Sequence, residues 1–182
     1  MSELKCGRPE DFDTRAEVEK AVYTFLDNID VSYARLDHEP AFTMEICQQI
    51  DKSLGALICK NLFLTNRQKT DFYLLMMPAD KIFKTKELSK ALGVSRLSFG
   101  DEEKMVELLS TTAGSASVLG LINDKDKKVR LVIDEDVLRE EFFGCHPCIN
   151  TSSLKIKTTD LTQKILPSLD VGYTTVTLFG EE

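Results

Sequence analysis

The chain has 182 residues, with 42% hydrophobic and 29% charged, which fits one soluble globular domain that buries its own core without disulfide staples. Its formal net charge of −7 argues, as a total, against a nucleic-acid partner. No apolar stretch approaches the roughly 18 residues of a membrane span, and no secretory segment opens the chain, so the five cysteines are expected as reduced thiols in a cytoplasm.

Residues 1–13 are polar and read as a lead-in to a single domain over residues 14–182. Val18, Val22, Phe25, Leu26 and Ile29 recur at helical spacing, with Thr14 as an N-cap. Val31 to Leu36 reads as a strand, interrupted by His38-Glu39-Pro40, and Thr43 caps a short helix through Ile50. The apolar runs Ala56 to Thr65 and Phe72 to Met77, joined by a polar turn, predict a hairpin covered on both faces. Leu88 to Leu92 predicts a helix closed by Gly93, Leu97 to Phe99 a short strand, and Asp101 to Leu109 an amphipathic helix.

Val118 to Ile122 looks like a strand, the turn residues Asn123 to Lys127 follow, and Val129 to Ile133 is expected to return as its hairpin partner. Asp134 caps a helix to about Glu140, and Gly144 to Asn150 is turn-rich. Ser152 to Ile156 is a strand, Asp160 to Leu166 a helix and Tyr173 to Leu178 a last strand. Interspersed strands and helices predict an α/β or α+β fold with a mixed sheet.

Three features invite a chemical reading. Cys145-His146-Pro147-Cys148 has the spacing of a redox pair or half a zinc site. It lies late in the chain, however, and the other three cysteines are scattered singly, so buried small thiols are the better reading and no metal is expected. Ala113 to Ser117 is a run of small residues containing Ser115 and Ser117, without the G-x-S-x-G elbow of a nucleophilic serine. Such a run better suits a loop whose backbone N–H groups approach a carbonyl or oxyanion. Lys60 sits inside an apolar strand and shares a face with Ile58, Leu62 and Leu64, so it must snorkel, pair, or project into a polar pocket. Asn61 points to the opposite face.

Several segments together resemble the YbaK/ProX family, the prolyl-tRNA editing domains. Lys60-Asn61-Leu62-Phe63-Leu64 is similar to its K-N-L-F-L strand, and Gly114-Ser115-Ala116-Ser117-Val118 to its G-S-V-S-P loop. Leu121 to Asp124 resembles the segment after that loop. His146-Pro147-Cys148-Ile149-Asn150-Thr151 resembles the H-P-x-x-N-T of the ProX branch, and His38 to Thr43 the upstream H-P-P-x-F-T. The resemblance implies a mixed, barrel-like sheet flanked by helices. It also implies a freestanding editor, without cofactor, that hydrolyses mischarged aminoacyl-tRNA, alanine on the proline tRNA being the first candidate.

Carried over by position, Lys60 matches the essential lysine, Asn61 would anchor the terminal adenosine, and Gly114 to Ser117 would supply the donors. His146 would line the aminoacyl pocket, with Asn150, Thr43 and His38 as further substrate-binding candidates. Water would be the nucleophile. The partner implied is the acceptor end of a mischarged tRNA, with prolyl-tRNA synthetase an open second partner and neither DNA nor membrane involved. Val118 and Glu39 replace prolines of the family pattern, which bears on the amino-acid preference. A non-catalytic proline or charged-tRNA sensor on the same fold, and a thiol oxidoreductase built on Cys145 and Cys148, are the alternatives.

The charge is unevenly spread. Between Lys60 and Arg96 eight basic residues face three acidic ones, giving +5 against −12 for the remainder. A solvated surface explains this equally well, but a basic patch beside Lys60 would meet acceptor-stem phosphates.

Overall fold

A computed structural model of the chain describes residues 3–41 and 43–181; Phe42 of the His38 to Thr43 segment and the ends of the two predicted regions (Met1, Ser2 and Glu182) lie outside them. The strands are β1 (Lys5–Cys6), β2 (Tyr33–Asp37), β3 (Leu57–Thr65), β4 (Phe72–Pro78), β5 (Ser98–Phe99), β6 (Val129–Asp134), β7 (Phe142–Cys145), β8 (Ser152–Lys157) and β9 (Tyr173–Val176). The helices are α1 (Glu17–Asn28), α2 (Met44–Leu54), α3 (Thr85–Leu92), α4 (Glu102–Leu109), α5 (Glu135–Arg139), α6 (Thr158–Asp160) and α7 (Leu166–Leu169). A π-helical stretch, Leu161–Ile165, joins the last two, and 3-10 turns occupy Phe12–Thr14 and Val118–Asn123.

The strands form one mixed sheet in the order β1-β2-β8-β7-β3-β4-β6-β9, with β5 added beside β3. The expected β3–β4 hairpin is present and antiparallel, with Lys60 opposite Met77 and Leu64 opposite Tyr73. Every residue of β4 is buried, because both faces of this part of the sheet are covered. On one face Cys59, Phe63, Leu74, Met76 and Ile133 join the main core with α1, α4 and the second 3-10 turn. On the other, Leu64, Tyr73, Leu75, Met77 and Val132 pack with Leu88 of α3. Period-two alternation therefore sends Asn61 toward the first core and Lys60 toward the second.

Four expectations are corrected. Val118 to Ile122 is not a strand but a 3-10 helix, capped by the Ser117 hydroxyl, which accepts a hydrogen bond from the Leu119 N–H at 3.1 Å. The residues that follow do not close a hairpin. The Asp124 carboxylate takes the N–H groups of Lys128 (3.1 Å) and Val129 (2.8 Å), leading the chain into β6, which pairs in parallel with β4 and β9. Thr14 is no N-cap: its hydroxyl donates to the Asp11 carbonyl at 2.8 Å within a 3-10 turn, and α1 starts at Glu17 with no side-chain cap. The turn-rich Gly144 to Asn150 begins as the end of a strand, β7, which pairs in parallel with β3 at Leu57 and Ile58. A Cβ at Gly144 would press on the ends of the Ile58 and Leu54 side chains, which would have to shift to admit it.

Within the polar lead-in, Lys5 and Cys6 pair with Arg35 and Ala34 of β2. Thr43 does cap α2, accepting from the Ile46 N–H at 3.3 Å, and Asp134 caps α5 through the Asp136 N–H at 3.2 Å.

Candidate functional site

β3 has β4 along one edge, but its other edge is covered only in part. β7 pairs with it at Leu57 and Ile58, and β5 at Leu64 and Thr65. Between these lies a gap in the sheet, and Lys60 and Asn61 occupy it, one side chain on each face.

On the Lys60 face the gap opens into a groove of about 660 Å³. It is lined by Leu62, Phe83 and Phe99 together with Ile82, Lys84 and Lys86. Phe99 shares this face because it is the cross-strand partner of Leu64. The Phe83 and Phe99 rings meet edge to face, with centroids 5.8 Å apart. The Lys60 ammonium donates to the Lys81 carbonyl, and burial pulls its pKa below the usual lysine value, opposed by the charge of Asp80.

The Lys81 side chain turns the other way, into Asp134 (2.6 Å), Asp136 (2.7 Å) and the Leu178 carbonyl (2.7 Å). Asp134 is fully buried. This ion-pair cluster fixes the segment that holds Lys60, and sequence reading missed it because Lys81 and Asp134 lie at the ends of separate strands with no local pattern between them.

On the other face lies the small-residue loop. Gly114, at φ +87°, makes a turn that L side chains rarely adopt. The Ser115 hydroxyl bonds to the backbone of Thr112, accepting from its N–H and donating to its carbonyl, both at 3.1 Å. The Ser117 hydroxyl is the 3-10 cap, and both serines are buried. Neither is hydrogen-bonded to a histidine, so neither is set up as a nucleophile. Gly114, Ala116 and Ser117 keep backbone N–H groups that meet no acceptor among the described residues. The loop is thus a set of donors held by its own hydroxyls. Asn61 Oδ1 is likewise buried with no donor facing it, the kind of atom a bound ligand or water satisfies.

The two histidine segments, far apart in sequence, meet where β2 and β8 pair. Asp37 lies opposite Ser152, and the His38 N–H donates to the Thr151 carbonyl at 3.0 Å. The His38 and His146 rings are 6.2 Å apart. His146 Nδ1 is 2.8 Å from the Ser152 carbonyl, so Nδ1 carries the proton and Nε2 remains an acceptor. Burial lowers the His146 pKa, the Ser152 carbonyl opposes this, and His38 adds to it. His38 Nε2 reaches the Ser153 hydroxyl at 2.8 Å. A cavity of about 380 Å³ lies beside His38, lined by Leu36, Ile46 and Ile50. Asn150 is exposed in the turn before β8, and Thr43 is exposed with its oxygen engaged as a cap.

Cys145 and Cys148 are buried, and burial pushes each thiol up to about 12, the Ser117 hydroxyl easing Cys145 slightly. Buried thiols held in the protonated form are poor nucleophiles, which weighs against a thiol oxidoreductase.

Comparison with known proteins decides the family. The model of the aminoacyl-tRNA editing domain matches residues 38–164. The chain belongs to that family. It is 29% identical over 145 residues to the prolyl-tRNA editing protein ProX of Acetoanaerobium sticklandii, covering 80% of this chain and 88% of that one. It is 30% identical over 150 residues to the mouse (Mus musculus) prolyl-tRNA synthetase associated domain-containing protein 1, covering 80% and 86%. The same fold occurs in a crystal structure described as a candidate trans-editing enzyme for prolyl-tRNA synthetase, at a TM-score of 0.67 and 13% identity, over 91% of this chain and all of that one. The editing-family segment spans the gap residues Lys60 and Asn61, the donor loop and both histidines.

Proposed function

We propose that this chain is an aminoacyl-tRNA deacylase that clears mischarged proline tRNA, with alanine as the amino acid removed, working in the cytoplasm on tRNA charged by prolyl-tRNA synthetase. The observation that carries this reading is the donor loop of residues 114–117. The N–H groups of Gly114, Ala116 and Ser117 meet no acceptor among the described residues, while the serine hydroxyls of the loop are committed to the backbone. That arrangement suits an ester whose attacking group is water.

In this reading the water oxygen attacks the ester carbonyl carbon. The carbonyl electron pair moves onto oxygen, where the N–H groups of Gly114, Ala116 and Ser117 hold it. The intermediate then expels the ribose oxygen, which takes up the proton the water gave up. Lys60 holds a phosphate of the terminal nucleotide, and Asn61 Oδ1 accepts a hydrogen bond from an N–H or O–H of its adenosine, the two reaching the nucleotide from opposite faces of the gap. His146, neutral and pinned through Nδ1, limits the size of the amino acid, with His38 beside it. A steric limit suits this selectivity. A hydrophobic pocket sized for proline rejects a smaller residue by only about 1–3 kcal/mol, so the smaller one needs a second, tighter sieve.

The test is a deacylation panel of alanyl-, cysteinyl-, seryl- and prolyl-tRNA(Pro). Release of alanine with the prolyl form spared supports the proposal. Tight binding of charged tRNA with no release would replace it by a sensing role.

A further inference from the structure

The groove beside Lys60 has a composition that editing of the ester does not itself require. Phe99 is 60% exposed and Ile82 50% exposed, which is unusual for such large apolar side chains when they sit next to one another. Phe83 buttresses Phe99 edge to face, so the Phe99 ring is held in place while leaving much of its surface to solvent. Lys84 and Lys86 flank the same groove, and among the described residues neither has an acidic partner. The nearby Glu87 is occupied by the C-terminal segment, accepting from the Phe179 N–H at 2.6 Å. The charge of Asp80 acts on Lys60.

A rigid, exposed aromatic ring between unpaired lysines is the composition of a single-stranded nucleic-acid platform: the ring stacks on a base and the ammonium groups meet the phosphates. Lys60 stands at one end of this groove, in the sheet gap, so a strand lying along it would bring its terminal nucleotide to Lys60 and Asn61. We infer that Phe99, supported by Phe83, stacks a base of the unpaired 3′ nucleotides of the tRNA, and that Lys84 and Lys86 hold their phosphates. This rests on the deacylase reading and assigns the residues that bind the unpaired end ahead of the ester.

The test uses uncharged RNA, so that binding is separated from hydrolysis. Two hairpins with the acceptor-stem sequence are compared by fluorescence anisotropy, one with an unpaired four-nucleotide 3′ tail and one blunt-ended. The tailed hairpin should bind more tightly. Phe99→Ala should weaken the tailed hairpin roughly tenfold and leave the blunt one unchanged, and Phe99→Tyr should retain the affinity. The double variant Lys84→Ala/Lys86→Ala should flatten the slope of log affinity against log salt by about 1.4, at about 0.7 per phosphate contact on a single strand. Phe99 is exposed, and circular dichroism of each variant checks that it folds. Equal binding of the two hairpins, or an unchanged affinity of Phe99→Ala for the tailed one, would overturn the inference even if alanine is released from charged tRNA. A failure of alanine release with tail-dependent binding intact would instead overturn the deacylase reading.

Discussion

Lys60 and Asn61 are neighbours that do different work because a strand sends them to opposite faces. Lys60 reaches a carbonyl at the mouth of a groove, and Asn61 buries an oxygen without a donor. Lys60→Ala is expected to reduce deacylation on the order of 100-fold, the effect of losing one fixed electrostatic contact to a developing or bound anion, with little change in melting temperature. A rate assay beside a thermal melt checks both halves. His146 supplies the pH dependence. Burial holds its pKa below 6.5, so it is neutral in the folded protein at pH 7, whereas in the unfolded chain it gains a proton at higher pH. Its contribution to stability is therefore full above about pH 6.5 and is lost as the pH falls through the ordinary histidine range toward the folded value. Asp37 behaves alike at lower pH. Burial raises its pKa, but hydrogen bonds from Arg15 and Arg35 outweigh that and hold it at about 2, so its contribution is lost only between about pH 4 and 2. An NMR titration of His146 that gives a pKa above 6.5 would contradict the buried, neutral ring.

Among the elements, the donor loop and its 3-10 helix separate a structural serine from a catalytic one. Ser117→Ala removes the cap and should cost about 1 kcal/mol in denaturant unfolding, while deacylation of the folded fraction stays within a few-fold. Loss of activity by a thousandfold would restore the serine as nucleophile. The Lys81 cluster makes a contrasting prediction. Asp134→Asn keeps the α5 cap but leaves the part-buried Lys81 ammonium without its fully buried carboxylate partner, and should cost about 3 kcal/mol in denaturant unfolding, whereas the more exposed Asp136→Asn should cost far less.

The same elements show what sequence can and cannot reveal. The two apolar runs and the polar turn between them were enough to predict the β3–β4 hairpin, and Thr43 and Asp134 act as the caps their positions suggested. Val118 to Ile122 misled because a short run buried on all sides has no period to tell a strand from a helical turn. The parallel pairing of β6 was hidden because the turn at Asp124 is local and its true partners, β4 and β9, are distant in sequence. β7 went unrecognised because Gly144 and the turn that follows mask its two phenylalanines. The gap in the sheet at Lys60 is invisible in sequence for a related reason: it exists only because β7 and β5 stop short of each other along one edge of β3.

At the scale of the whole molecule, the net charge of −7 and a tRNA substrate are compatible because the charge is segregated. The segment from Lys60 to Arg96, at +5, contributes Lys60, Lys84 and Lys86 to the groove, so contact with RNA belongs to one face. Tailed-RNA affinity should fall steeply with salt, as it does when a few lysines displace counterions, and the acidic surface away from the groove and the donor loop should not cross-link to the RNA. The measurement that bears most directly on the function is alanine release from alanyl-tRNA(Pro) set against proline release from prolyl-tRNA(Pro), at equal enzyme and saturating RNA. The expected result is rapid loss of alanine with prolyl-tRNA(Pro) left intact, and an alanine reaction slowed on the order of 100-fold in Lys60→Ala. Equal loss of both amino acids, or no loss of either at enzyme levels that saturate binding, would contradict it.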